Sequence, residues 1–147
     1  VFTGHKNILS AKYVSRALTM NGIAVLRFDF TGLGESGGDF SDTNFSSNVT
    51  DVIAAAKFLE KNYKAPSILV GQSLGGAAAV YAAAELESVK AVATIGAPSE
   101  PEHVTHLMGC KMEEIEDNGS AEVLIGGRPF TIKKQFSSCN LILTTST

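Results

Sequence analysis

"ILVGQSLGGAAAV", residues 68–80, decides the fold. Ile68, Leu69 and Val70 have the β-branched and aliphatic character of a buried strand, and they run straight into Gly71. A single serine, Ser73, follows, then Leu74, Gly75, Gly76 and a run of alanines with the composition of a helix. The pattern is G-x-S-x-G between a strand and a helix. The turn it predicts is so sharp that the serine holds a strained backbone conformation, while side chains at positions 71 and 75 would collide with the neighbouring elements. Such a turn would expose the Ser73 hydroxyl at a helix N-terminus, with the Leu74 N–H pointing into the same space, where a tetrahedral oxyanion gains a hydrogen bond and the favourable end of the helix dipole. A plain strand–turn–helix with Ser73 as a polar cap has the same local sequence.

Outward from this stretch the chain alternates strands and amphipathic helices. Residues 7–20 predict a helix with Ala11, Val14, Ala17 and Leu18 on one face, stopped at Asn21-Gly22. "IAVLRFD", 23–29, predicts a strand covered on both faces. A long glycine-rich polar segment, "FTGLGESGGDFSDTNFS", reads as a turn-rich, flexible loop. A second helix carries Val49, Val52, Ile53, Ala56 and Leu59 on one stripe; residues 67–71 form the next strand, Leu74 to Leu86 the next helix and 89–99 a third strand. Alternating elements of this kind predict βαβ units and a doubly wound, mostly parallel α/β sheet. Beyond Pro101, "EHVTHLM" predicts at most a short helix, and residues 121–136 predict a hairpin turning at Gly126-Gly127, with Pro129 at an edge or beside a bulge. The expected organisation is a core over 1–100, a cap-like helix and hairpin over 101–136, and a divergent tail over 137–147.

Composition narrows the function classes. The 147 residues are 44% hydrophobic, enough for a core and too many for disorder, and the net charge of -3 comes without a Lys/Arg block, which excludes the electrostatic footprint of a nucleic-acid binder. No apolar run approaches a membrane span. Cys110 and Cys139 have no metal-site spacing and form no disulfide framework, which fits a reducing, cytoplasmic setting. The three histidines have no zinc spacing either, so no metal and no cofactor is expected. "GLGESG", 32–37, matches a dinucleotide fingerprint formally, yet the following residues keep the chain irregular until the helical stripe near Val49, so no helix N-terminus faces a pyrophosphate.

Several ordered motifs carry a resemblance: "FTGHKN" (2–7), "VLRFDFTGLGESGGDFSDTNFSSNV" (25–49), "GQSLGGAA" (71–78), "VKAVATIGAPS" (89–99) and "GGRPFTIKKQF" (126–136). Over residues 1–136 the chain resembles the α/β-hydrolases, in particular a bacterial esterase-like group often fused to an OsmC-like domain. The resemblance implies a partial α/β-hydrolase fold with a C-terminal β-hairpin and a small-molecule ester or acyl substrate. It implies Ser73 as nucleophile, the N–H groups of Leu74 and Phe2 as oxyanion hole, and Gly71 and Gly75 as elbow glycines. Asp29, Gly32, Gly34 and Ser36 correspond to a family loop that shapes the site, and Thr31 stands where many relatives carry arginine. The acid and the histidine that the family places after later strands have no counterpart here. Glu100, His103 and His106 are the substitutes the sequence offers; His5 precedes the serine, the wrong order for this fold. The chain thus reads as a piece of a hydrolase cut at both ends, weakly active or inactive alone, with an exposed sheet edge that favours self-association. A non-catalytic binding or regulatory module on the same scaffold is the other reading.

Overall fold

In a computed structural model the structure describes residues 4–99, 111–125 and 128–137. Its centre is a parallel strand pair, β1 (Ile68–Gln72) and β2 (Ala91–Ile95), in register from Ile68 opposite Ala91 to Gln72 opposite Ile95. Alternation along β1 sends Leu69 and Gly71 to one face and Ile68, Val70 and Gln72 to the other. The first face receives the helix that follows Ser73, Leu74–Glu85, and this is possible because its contact residues are small: Gly76, Ala77, Ala78, Ala79 and Ala82 are buried. The opposite face meets the first helix, α1 (Leu9–Met20), at its carboxyl end, where the Ser10 hydroxyl donates to Gln72 Oε1 at 2.6 Å. Helices on opposite sides of a parallel pair are the doubly wound arrangement the alternation predicts.

The second helix, α2 (Phe45–Asn62), lies against the Leu74–Glu85 helix, which is α3. A capping box opens α2: the Ser47 N–H donates to Asn44 Oδ1 at 2.8 Å, and the Asn44 N–H donates to Ser47 Oγ at 3.0 Å. Such a cap contributes about 1 kcal/mol. Phe45 meets Tyr81 of α3 edge to face, centroids 5.2 Å apart. Just before α2, a single 3-10 turn spans Phe40–Asp42.

A short helix absent from the sequence reading, α4 (Met112–Asn118), ends at Gly119 in the left-handed region and leads into the predicted hairpin. The strands β3 (Ser120–Ile125) and β4 (Arg128–Lys133) pair antiparallel from Ser120 opposite Lys133 to Ile125 opposite Arg128. The ladder is regular through Pro129, so proline sits on an open edge and not at a bulge. A one-turn helix, α5 (Lys134–Ser137), closes the described chain. The hairpin's inward residues Ala121, Val123 and Ile132, with Ile115 and Phe136, join the same core as α2 and α3. Ile115 and Ile132 are fully buried, each contributing about 1.5–3 kcal/mol by removal from water. Phe40 of the 3-10 turn packs edge to face on Phe130, and Lys133 pairs with Asp42, so the hairpin is fastened beside the 31–44 loop.

Two expectations are corrected. Residues 23–30 carry no ladder, and Ile23, Val25 and Leu26 are 41%, 37% and 41% exposed where burial on both faces was expected. A strand exists through hydrogen bonds to a neighbour, and no described strand lies alongside this one. The 31–39 loop, expected to be flexible, is bonded throughout: Leu33 N–H to Phe30 O, Gly32 N–H to Gly37 O and Ser36 Oγ to Asp29 O. Phe2, Glu100, His103, His106, the "EHVTHLM" segment, the Gly126-Gly127 turn and the 138–147 tail lie outside the described residues.

Candidate active site

Ser73 has φ +55° and ψ −132°, and it is the only non-glycine residue at positive φ among the described residues. Holding a side chain there costs about 1–3 kcal/mol, so the surroundings must over-determine it. They do so through the backbone. The Ser73 N–H donates to Ile95 O at 2.9 Å, which carries the strand pairing one residue past β1, and its carbonyl accepts from Gly76 N at 2.8 Å and Ala77 N at 3.3 Å. The side chain stays out of this bonding. Ser73 is half-buried, and its hydroxyl makes no capping bond to α3, so the polar-cap role that the sequence also allowed is unused.

Beside that hydroxyl lies the start of α3. The N–H groups of Leu74 and Gly75 have no acceptor within the helix, and neither donates to another described residue. The sequence singles out the Leu74 N–H as an oxyanion donor and Gly75 as an elbow glycine. The pairing of two open amides with a helix N-terminus makes a local positive potential next to a serine oxygen.

The close approach of α3 to β1 shows which glycines are required. A Cβ on Gly71 would stand 2.6 Å from Gly76 Cα, and one on Gly76 would stand 2.8 Å from Ala97 Cβ. On Gly75 it would meet only the Phe30 ring, at 3.6 Å, an ordinary contact. The expected collision is therefore found at 71 and not at 75; the second intolerant position is Gly76. Gly76, with the alanines 77 to 79 that follow it, is where the sequence expects the helix to lie close to the sheet, and the contact is found there.

The 31–39 loop forms the adjoining rim. Buried Asp29 accepts the N–H of Lys6, the N–H of Glu35 at 3.0 Å and the Lys6 ammonium at 3.1 Å. Burial alone would push its pKa up; the Glu35 and Lys6 donors outweigh that and hold it below the ordinary carboxylate value. Gly32 and Gly34 have φ of +74° and +58°, and a Cβ on Gly34 would stand 2.7 Å from Asp29 Oδ1. Thr31 anchors the loop to α2: its N–H and hydroxyl donate to Asp51 Oδ2 and Oδ1 at 2.8 and 2.9 Å. Asp51 lies 20 residues away, with no local pattern to connect the two. His5 is exposed and its Nδ1 accepts the Asn7 N–H at 3.2 Å, so it is not bonded to Ser73 through that nitrogen. Among the described residues no cluster of His, Cys, Asp and Glu could hold a metal ion, and no helix is long and apolar enough to cross a membrane.

The hydrolase family described as serine aminopeptidase, S33, matches residues 4–115. The chain belongs to that family. Solved structures agree with an α/β-hydrolase fold. The chain is similar to the esterase domain of a Rhodothermus marinus protein, with 46% identity and a TM-score of 0.62, covering 92% of this chain and 51% of that one. It is similar to the mouse α/β-hydrolase domain-containing protein 10, with 28% identity and a TM-score of 0.70, covering 92% and 55%. It is also similar to Est1E of Butyrivibrio proteoclasticus, solved with ferulic acid bound, with 25% identity, a TM-score of 0.68 and coverage of 92% and 55%. This S33-family chain thus spans about half the length of these structures. No protein of curated function matches the chain.

Proposed function

We propose that the S33-family chain carries the nucleophilic half of a serine hydrolase acting on ester or acyl substrates, with Ser73 as nucleophile. The single observation that carries this reading is the positive-φ Ser73, its hydroxyl unused by the helix cap, beside the open N–H groups of Leu74 and Gly75. Attack of Ser73 Oγ on a carbonyl would place the developing oxyanion at the N-terminus of α3, where preorganised donors act with little reorganisation. Leu74 N–H is one donor in this scheme, and Phe2 N–H, from the chain entering Gly4, is the other. Similarity to the Rhodothermus marinus esterase domain supports an ester bond over a peptide bond.

A serine hydroxyl needs a base, and the base needs an orienting acid. Among the described residues no side chain hydrogen-bonds the Ser73 hydroxyl. Glu100, His103 and His106 remain the sequence's own candidates for those roles.

Covalent labelling tests the nucleophile. In the protein that carries this sequence, a fluorophosphonate is expected to bond Ser73, identified by peptide mass, and Ser73→Ala is expected to abolish the adduct. Absence of an adduct, or equal labelling of the variant, sinks the reading.

The face of β1 and β2 away from α3 supports the self-association reading. Ile68, Val70 and Ile95 are 48%, 44% and 46% exposed there, although parallel sheets are normally covered on both faces. Size-exclusion chromatography at rising concentration is expected to show a shift to larger species; a single monomer peak throughout would count against it.

A further inference from the structure

The sequence contains two Asn-Gly dipeptides, Asn21-Gly22 and Asn118-Gly119. In both, glycine offers an unhindered backbone nitrogen to the preceding side-chain amide. Both lie at helix C-termini, both glycines are in the left-handed region with φ of +76° and +77°, and all four residues are exposed. By sequence and by accessibility the two are equivalent. Their hydrogen bonding is not.

At the end of α1 both reacting groups are occupied. Asn21 Nδ2 donates to Ala17 O at 2.9 Å, which holds the side chain back along the helix. The Gly22 N–H donates to Thr19 O at 3.1 Å. At the end of α4 neither is. The Asn118 side chain makes no hydrogen bond, and the Gly119 N–H finds no acceptor, among the described residues.

We propose that Asn118 is a site of spontaneous deamidation and that Asn21 is protected from it. The Gly119 nitrogen attacks Asn118 Cγ, forming an N–C bond as the Cγ–Nδ2 bond breaks. The displaced amide leaves as ammonia, taking the proton from the Gly119 nitrogen. Water then opens the five-membered imide at either carbonyl, giving aspartate or isoaspartate, with no change of oxidation state. Either product places a new carboxylate beside Glu116 and Asp117 at a helix C-terminus, where negative charge is unfavourable. Isoaspartate also adds one carbon to the main chain between α4 and β3. That is where Gly119 O accepts the Lys134 N–H at 3.1 Å, tying the start of the hairpin to its end. The modification is thus a slow chemical clock on the docking of the hairpin.

The test is a time course of the unmodified 147-residue chain in mildly alkaline buffer, read by peptide mapping with isoaspartate-specific detection, run in parallel in concentrated urea. In native buffer Asn118 is expected to convert about thirtyfold faster than Asn21, the rate factor for breaking two hydrogen bonds of typical net strength. In urea the two sites are expected to convert at similar rates. A native ratio near one, or faster conversion at Asn21, overturns the proposal. A large ratio that persists in urea also overturns it, because neighbouring sequence and not the fold would then be responsible.

Discussion

Gly71→Ala is expected to destabilise the chain by about 3 kcal/mol, or roughly 10 °C in Tm for a protein of this size. The added Cβ would stand 2.6 Å from Gly76 Cα and also meet the Gly75 carbonyl, all backbone atoms of the first turn of α3. No side-chain rotation relieves a backbone clash, so α3 must move away from β1. That movement would disturb the bonds from Ser73 N–H to Ile95 O and from Gly76 N–H to Ser73 O that hold the elbow. Gly75→Ala is the matched control. Its Cβ meets only the Phe30 ring at 3.6 Å, and alanine is the better helix former by about 1 kcal/mol, so this variant is expected to be neutral or slightly stabilised. Thermal or urea unfolding of the two variants side by side decides the matter; equal losses would show that the close approach of α3 to β1 has been misplaced.

Asp29→Ala is expected to cost about 3 kcal/mol. The loss arises because the N–H groups of Lys6 and Glu35 would be left without the acceptor they share in a partly buried place. The same carboxylate makes stability depend on acid. Its folded pKa is depressed below the ordinary value of 3.8. Its contribution is therefore fully present above that value and is lost as pH falls through the lower folded pKa. Denaturation curves in the parent chain are expected to show a stability loss below about pH 4, shallower in Asp29→Asn because that side chain does not titrate. Identical acid limbs in the two proteins would exclude Asp29 as a source.

What could be read directly from the chain was local. The elbow was legible because its signals lie within a dozen residues: β-type residues before Gly71, alanines after Gly76, and one serine between. The α1 and α2 stripes and the hairpin were legible for the same reason, since a period of 3.6 or 2 is written along the chain itself. Remote contacts decided the rest. Only the fold brings Asp51 to Thr31 and Asp29 to Lys6, turning a glycine-rich stretch that looked loose into a bonded rim. Only the packing of α3 against β2 and Ala97 shows that Gly76 cannot carry a side chain while Gly75 can. "IAVLRFD" has the composition of a buried strand, but a strand is completed by a neighbour, and composition does not say whether that neighbour is beside it.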